Sequence, residues 1–225
     1  MPTDALISVN GESVQALEIL FFTTVMMLLP SLIIMMTSFT RYVVVFSFLR
    51  TAMGTQQTPP NMVLIGMALI LTLFTMTPTL NAVNEEAFEP YQAEEITQEE
   101  FFDRAQVPFK RFMARWTQLS SFQMYCQISG TPEPETLEEA VNLPLTVIIP
   151  AFITSELKHA FELGFLLYIP FLLVDMVVAS TLMSMGMVML PPSMISVPFK
   201  MLLFITLDGW QLLFRSLVQG FGLSG

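Results

Sequence analysis

The chain has 225 residues, of which 53% are hydrophobic and only 12% are charged, and its mean hydropathy is +0.64. A soluble domain carries about 25% charged residues, so this composition is typical of a membrane protein. The formal net charge of −10 argues against nucleic acid and anionic lipid as partners, because both would be repelled. One histidine and one cysteine leave few ways to build a zinc site or a Ser/His or Cys/His catalytic site, so we expect no cofactor or metal.

The first hydrophobic part of the chain, residues 17–82, predicts a helical hairpin. It follows an N-terminal segment, residues 1–16, without a secretory signal pattern, so we expect that any signal peptide has been removed or was never present. A charge-free run over Ile19–Phe39 is close to the ~20 residues that cross a bilayer, and Pro30 predicts a kink within it. A second apolar run, Met62–Leu80, forms the other arm.

Basic residues predict how this hairpin is oriented. Arg41 and Arg50 lie close to the polar connection between the two arms. Short cytoplasmic loops carry an excess of Lys and Arg. We therefore expect this connection on the cytoplasmic side of the membrane, and residues 83–143 on the opposite, extracytoplasmic side.

Residues 83–143 are the one region with soluble character, and they contain twelve of the nineteen acidic residues. Thr97 and Glu100 form a capping-box pattern, and the apolar residues that follow at spacings of three and four predict an amphipathic helix, bent or interrupted at Pro108. Thr136 and Glu139 repeat the capping pattern before a second helix. The polar face of the first helix is expected to be solvated rather than to bind a ligand: Asp103, Arg104, Lys110, Arg111 and Arg115.

Residues 144–225 predict broken hydrophobic helices rather than simple membrane spans. Prolines and the charges of Asp175, Lys200, Asp208 and Arg215 interrupt the apolar runs. A charge inside the membrane costs about 2.5–3.5 kcal/mol even on the lenient insertion scales, so such groups should face protein or water. We therefore expect this part to be buried in an assembly.

Three charged residues of this part are candidates for function: Glu156, Asp175 and Lys200. We predict that Glu156 meets Lys200, within one subunit or across a subunit contact; the alternative is that both reach water independently. Lys158 can pair with Glu162 one helical turn away. For the isolated Asp175 we predict a structural role, as a helix cap or a pair across subunits, with a proton or ion pathway as the alternative.

Methionines occupy every second position from Met183 to Met189, with Gly186 among them and two prolines after them. A helix would scatter these side chains around its axis, whereas a loop or extended backbone would place them on one side. Methionine is flexible and adapts to irregular partners. The pattern predicts an adaptable contact surface or constriction; gap-filling core or lipid-facing methionine is the alternative.

Two long blocks closely resemble the FliP family, the flagellar branch of a family whose other branch serves injectisome type III secretion. They read LLPSLIIMMTSFTRYVVVFSFLRTAMGTQQTPPNMVLIGMALILTLFTMTP and IPAFITSELKHAFELGFLLYIPFLLVDMVVASTLMSMGMVMLPPSMISVPFKMLLFITLDGWQLL. The resemblance covers roughly residues 28–213 and is weaker in the acidic segment. The sequence of the segment GTQQTPPN resembles the flagellar branch more than the injectisome branch.

The resemblance implies an all-α subunit of a protein export gate, built from kinked helical hairpins with an acidic, largely helical extracytoplasmic insertion. It implies a pentamer completed by FliR, surrounded by FliQ and associated with FlhB and FlhA. This complex would lie in the bacterial inner membrane at the flagellar basal body, with much of it on the periplasmic side. It would pass unfolded flagellar proteins and perform no catalysis.

The methionine gasket of this family maps onto four positions of the present sequence: Met185, Met187, Val188 and Met189. Val188 interrupts a triplet that is unbroken in some relatives. The resemblance also implies subunit contacts through Glu156 and Lys200, with Asp175 as a further candidate. Three other functions stay open: an injectisome homologue of the gate, a proton-coupled small-solute transporter that uses Asp175 and Glu156, and a membrane-anchored adaptor whose acidic segment binds a partner.

Overall fold

The computed structural model describes residues 7–9, 12–14, 16–55, 57–187 and 189–222. Within these ranges the protein is all-α, as predicted, with one short antiparallel pair of strands, β1 (Ile7–Val9) and β2 (Glu12–Val14). A π-helical turn, Asn84–Phe88, continues the third helix. The α-helices are α1 (Ala16–Met35), α2 (Phe39–Met53), α3 (Asn61–Val83), α4 (Glu89–Gln92), α5 (Gln98–Trp116), α6 (Leu119–Ser129), α7 (Leu137–Asn142), α8 (Leu145–Ser184), α9 (Pro192–Thr206) and α10 (Gly209–Gln219).

The sharp bend of the first hydrophobic run lies after α1 and not at Pro30, which stays inside that helix. The helical segments Met26–Met35 and Phe39–Met53 meet at 70°. Thr37 makes this bend, because its Oγ1 donates to the carbonyl of Ile34 (2.6 Å) and accepts from the N–H of Phe39 (3.3 Å). A short hydroxyl side chain that takes over backbone partners competes with the helix and turns the chain.

The main core forms around α2, which packs between α3 and α8. Its buried side chains recur at spacings of three and four, which is the spacing of one helix face: Tyr42, Val45, Phe46, Leu49, Ala52 and Met53. Helix α8 approaches this face closely at Gly164, where an added Cβ would lie 2.6 Å from Cγ of Phe48. The absence of a side chain at Gly164 therefore permits the contact between the two helices.

The acidic segment folds as the local patterns predict. Thr97 and Glu100 form the complete capping box of α5, and the Thr97 N–H, 2.9 Å from the carboxylate, lowers the pKa of Glu100. Thr136 caps α7 by accepting from the N–H of Glu139 (3.2 Å). Pro108 neither ends nor interrupts α5, and it is buried.

A second core joins α5 and α6 to the beginning of α8. Met113, Phe122, Cys126, Ile148 and Phe152 pack together there. Cys126, the single cysteine of the chain, is fully buried, and burial raises the pKa of its thiol. The acidic segment is therefore attached to the hydrophobic helices through an apolar contact of its own.

Two continuous helices among the described residues are long and apolar enough to cross a membrane, Asn61–Gln92 and Leu145–Ser184. The count rises to four if each bent pair acts as one span, the second pair being α9 and α10 at 64°. Hydropathy and broken helices thus agree with the predicted membrane class. At each of these two bends, the polar residues that connect the helices lie next to long apolar helix surfaces.

Candidate functional site

Helix α8 organises every residue that the sequence singled out for function. Its 40 residues correspond to a length of about 60 Å. Glu156 and Asp175 lie on α8, Lys200 lies on α9, and the methionines follow the end of α8. The site therefore consists of two ion pairs along one helix and a loop at its end.

The first ion pair joins α8 to α2. Arg41 donates through Nε to Oε2 of Glu156 (2.9 Å) and through Nη2 to Oε1. The guanidinium and the carboxylate thus form a two-point contact, the geometry in which arginine binds carboxylates most strongly. Glu156 has no exposed surface and Arg41 is 4% exposed. Both charges are enclosed by the protein's own helices.

Aromatic rings cover this ion pair. Cζ of Arg41 lies 3.8 Å from the centroid of the Phe221 ring and 5.9 Å from that of Trp116. Phe221 also packs on Phe112 and against Tyr42. A guanidinium over aromatic rings gains cation–π stabilisation when it is desolvated. Because the rings also exclude water, removal of either charge would leave the other buried and uncompensated.

The second ion pair holds the hairpin of α8 and α9 against the end of α2. Nζ of Lys200 donates to Oδ2 of Asp175 (2.7 Å) and to the carbonyl of Ala52 (3.0 Å), and the Ser196 hydroxyl donates to Oδ1 of Asp175 (2.6 Å). The Lys200 side chain is 7% exposed, whereas that of Asp175 is 34% exposed. One ammonium group thus connects three helices, and one face of Asp175 is open to solvent.

The structure corrects two predicted pairings. Glu156 does not meet Lys200 within the chain, and neither residue reaches water, since each is buried with another partner. Lys158 contacts Gln118 (2.8 Å) instead of Glu162, which lies 3.5 Å from His159. Proximity along the sequence favours a lysine in the same half of the chain as the partner of Glu156. Arg41, the true partner of Glu156, is 115 residues away in sequence, and its position beside an apolar stretch was the available signal.

The methionine segment is a loop, as the alternating pattern predicts, except at its first residue. Met183 belongs to α8, and α8 ends in a Schellman motif: the Gly186 N–H donates to the Met183 carbonyl (3.0 Å) and the Met187 N–H to the Leu182 carbonyl (3.0 Å). Gly186 has φ of +76°, which favours glycine. Residues 185–191 are called the Met loop below.

Two methionine side chains of the Met loop, those of Met185 and Met189, contact little of their own chain. Met185 is 66% exposed and Met189 is 96% exposed, while Met187 is half-buried. Val188 lies outside the described residues. Pro191 and Pro192 begin α9, which ends the loop. Apolar side chains this exposed in a short loop are available to a partner.

The charged groups of the site hold the structure together, and its exposed thioethers offer a soft apolar surface. In both ion pairs the charged groups bind each other within the chain. Among the residues that the structure describes, no three His, Cys, Asp or Glu side chains come together as metal ligands. The exposed thioethers are apolar contact groups.

Comparison with known proteins reveals extensive similarity. The FliP family matches residues 22–217. The chain is 50% identical to the flagellar biosynthetic protein FliP of Aquifex aeolicus over 94% of its own length and 88% of that protein. The corresponding protein of Bacillus subtilis is 48% identical over 95% of this chain and 96% of its own length, and that of Pectobacterium carotovorum is 47% identical over 93% and 79%.

Proposed function

Because the chain belongs to the FliP family, we propose that it is a core pore-forming subunit of the flagellar protein export gate. Its relatives carry the name flagellar biosynthetic protein FliP, and its helices have the apolar character of a membrane-associated component. The gate passes unfolded flagellar proteins and performs no bond chemistry. The observation that carries this proposal is the exposed, non-helical Met loop at the end of a long hairpin.

The exposed apolar surface supports an assembly of several copies with other gate proteins. Large side chains stand exposed along α3 and along the second half of α8, for example Ile70, Phe74, Phe165 and Leu173 at 69%, 62%, 66% and 59%. Patches of this kind mark contacts with protein or lipid. We propose a pentamer with FliQ and FliR, joined by FlhB and FlhA, in the inner membrane at the flagellar basal body, extending to the periplasmic side.

We propose the domain organisation that the sequence predicts. The hairpin of residues 17–82 and the helices of residues 144–225 form the gate body, and residues 83–143 form an extracytoplasmic domain. The second core, which includes Met113, Phe122 and Phe152, fastens this domain to the beginning of α8. The Met loop lies at the opposite end of α8. The extracytoplasmic domain and the pore constriction are thus separated along one helix.

The Met loop acts as a gasket. Several copies of Met185, Met187 and Met189 meet around the pore and exclude water, because packed thioethers leave no polar path for ions. The unbranched side chains part around a passing polypeptide and close behind it. The Schellman motif at Gly186 fixes where the loop leaves α8, so all copies present it at the same level.

Among the residues predicted at subunit contacts, only Asp175 offers substantial exposed surface. Its side chain is 34% exposed beside its bond to Lys200. We place this open face toward a neighbouring copy. A contact through Glu156 or Lys200 would require an internal ion pair to open first. The pairing of Asp175 with Lys200 also supports a structural role over proton coupling in a transporter.

Substitution in the Met loop tests the gasket. In the complete gate complex expressed in cells, Met187→Ala and Met189→Ala together should raise ion leakage several-fold, because alanine is too short to fill the constriction. Met62→Ala is the matched control, since Met62 is 83% exposed but lies in the first turn of α3. Leakage equal to that of the unchanged gate in the loop variant, or an equal rise in the control, would exclude the gasket.

A further inference from the structure

The Met loop takes its position from the two helices that it joins. At its start, Gly186 ends α8 in the Schellman motif. At its end, Pro192 begins α9, and Val197 lies about 8 Å further along that helix. Met185 and Met189 are 66% and 96% exposed, so their own contacts do not hold the loop in place. The contacts that fix the first turns of α9 therefore fix the second end of the Met loop.

The end of α2 contacts these first turns of α9 through a hydrogen bond and a close approach. Nζ of Lys200 donates to the carbonyl of Ala52 (3.0 Å). Earlier on α9, Val197 passes Gly54 so closely that an added Cβ would lie 3.1 Å from its Cγ2 atom. Gly54 has φ of +74° and ends α2, where its N–H donates to the carbonyl of Thr51 (3.0 Å). A side chain at position 54 would therefore press against α9.

The last turn of α2 is a firm support for α9. Ala52 is fully buried and Met53 is 5% exposed, and both belong to the main core. Close-packed interiors have low compressibility and transmit strain. Lys200 and Ser196 of α9 both bind Asp175 of α8 (2.7 and 2.6 Å), so α2, α8 and α9 meet within a short distance. A displacement of α9 here is transmitted to the Met loop, which ends about one and a half helical turns away.

We propose that the end of α2 positions the Met loop, with Gly54 as the positioning residue. Glycine at this position ends α2 and leaves the space beside which Val197 packs. A larger residue should displace α9 and the Met loop without a change to any methionine. The inference rests on the proposed gasket function for its consequence, which is that the end of α2 determines whether the methionines meet and close the pore.

Spin labels measure this displacement in the purified chain. Leu73→Cys on α3 and Met189→Cys in the Met loop carry the labels, since these side chains are 62% and 96% exposed and the native Cys126 is fully buried. Gly54→Leu should change the distance between the labels by about 1–2 Å, the size of helix shifts at packed interfaces. Gly130→Leu is the matched control, because Gly130 also ends a helix, with φ of +70°, but has no atom within 4 Å of its added Cβ.

A second substitution tests whether the displacement acts through Val197. Gly54→Leu/Val197→Ala should return most of the label distance to that of the unchanged chain, because alanine lacks Cγ2. If Gly54→Leu does not fold, Val197→Phe enlarges the same contact from α9 and should shift the labels as well. Equal shifts in Gly54→Leu and Gly130→Leu would overturn the proposal. So would unchanged distances in Gly54→Leu and Val197→Phe, or a shift that Val197→Ala does not reduce.

Ion leakage through the complete gate complex separates this inference from the proposed function. Gly54→Leu should raise leakage several-fold and Gly130→Leu should not, with Met187→Ala/Met189→Ala as the reference. If the methionine variant leaks and Gly54→Leu does not, the end of α2 does not control closure and the inference fails. If neither variant leaks while the labels move, the gasket is wrong, whereas the positioning of the Met loop by α2 is supported.

Discussion

The two halves of α8 differ in what surrounds them. The first half is enclosed by α2, α5 and α6, and its buried residues include a charged one: Val147, Ile148, Ala151, Phe152, Ser155, Glu156, Ala160 and Gly164. In the second half only Phe171 and Leu182 are buried, although its sequence is more apolar than that of the first half. The first half of α8 is therefore covered by other helices of the same chain. The second half presents its apolar surface to other molecules.

The same contrast separates the two ion pairs. Around Arg41 and Glu156 the protein supplies every contact, including the aromatic cover. Around Asp175 and Lys200 it leaves about one-third of the aspartate side chain open. A buried charge without its partner is strongly destabilising, whereas a partly hydrated one is less so. Substitutions should therefore destabilise the isolated chain more at the first pair.

Arg41→Met should cause the largest loss of stability. It leaves the Glu156 carboxyl fully buried and without its partner, and we expect the free energy of unfolding to fall by about 3–5 kcal/mol. Chemical unfolding of the chain in detergent, followed by circular dichroism, measures the change. Arg215→Met, at an exposed position, should alter it by less than about 0.5 kcal/mol. Arg41→Met/Glu156→Leu should recover most of the loss; no recovery would contradict the view that the unpaired charge causes it.

Gly164→Ala tests the close approach of α2 and α8. The added Cβ would lie 2.6 Å from Cγ of Phe48, so the helices must separate, and we expect a loss of about 1–3 kcal/mol in the same unfolding experiment. Gly66→Ala in α3 is the matched control, because no atom lies within 4 Å of its added Cβ. Helix propensity should make that control neutral or more stable by up to about 1 kcal/mol. A similar effect at both glycines would argue against the close contact.

Lys200→Met measures the second ion pair. It removes the bonds to Asp175 and Ala52, but water can hydrate the exposed face of Asp175, so a loss of about 1–2 kcal/mol is expected, less than for Arg41→Met. Lys158→Met removes an exposed lysine that contacts Gln118 and serves as control. If the free energy of unfolding falls as much for Lys200→Met as for Arg41→Met, the two ion pairs are equally shielded from water.

Met189→Ala should have the smallest effect on the isolated chain. Its side chain is 96% exposed, so the free energy of unfolding should change by less than about 0.5 kcal/mol. Thermal unfolding of the purified chain and of the assembled gate separates the two states. A stability loss confined to the assembly supports the division of α8, and a loss in the isolated chain would contradict it.

Local features of this fold were predictable because their signals lie within a few residues. Thr97 with Glu100 and Thr136 with Glu139 place the starts of α5 and α7 correctly. Gly186 and the two prolines predict a break in the helices at the Met loop. The inclusion of Met183 in α8 was not predictable from its side chain, since the backbone bonds of the Schellman motif decide where that helix ends.

Long-range features of the fold were not predictable, because they depend on tertiary contacts for which the sequence carries no local signal. The partner of Glu156 is separated from it by 115 residues, and several cations were possible. The kink at Pro30 stays a prediction, whereas the 70° bend after α1 was not predicted; it occurs at Thr37, where hydroxyl bonds to the backbone redirect the chain. The basic face of α5 was expected to be solvated. In the structure Arg111 and Arg115 line a pocket together with Phe221 and with Thr79 of α3, which are distant from them in sequence.

The aromatic cover of Arg41 has a consequence for the order in which the chain folds. Arg41 belongs to an early helix, Glu156 lies 115 positions later, and Phe221 follows later still. During synthesis the guanidinium therefore emerges long before its partner and its cover exist, and until then it must remain hydrated. Contacts so distant along the chain form late, because loop closure precedes them. The charge that is finally buried in this fold thus delays the burial of α2 until the remaining helices have been made.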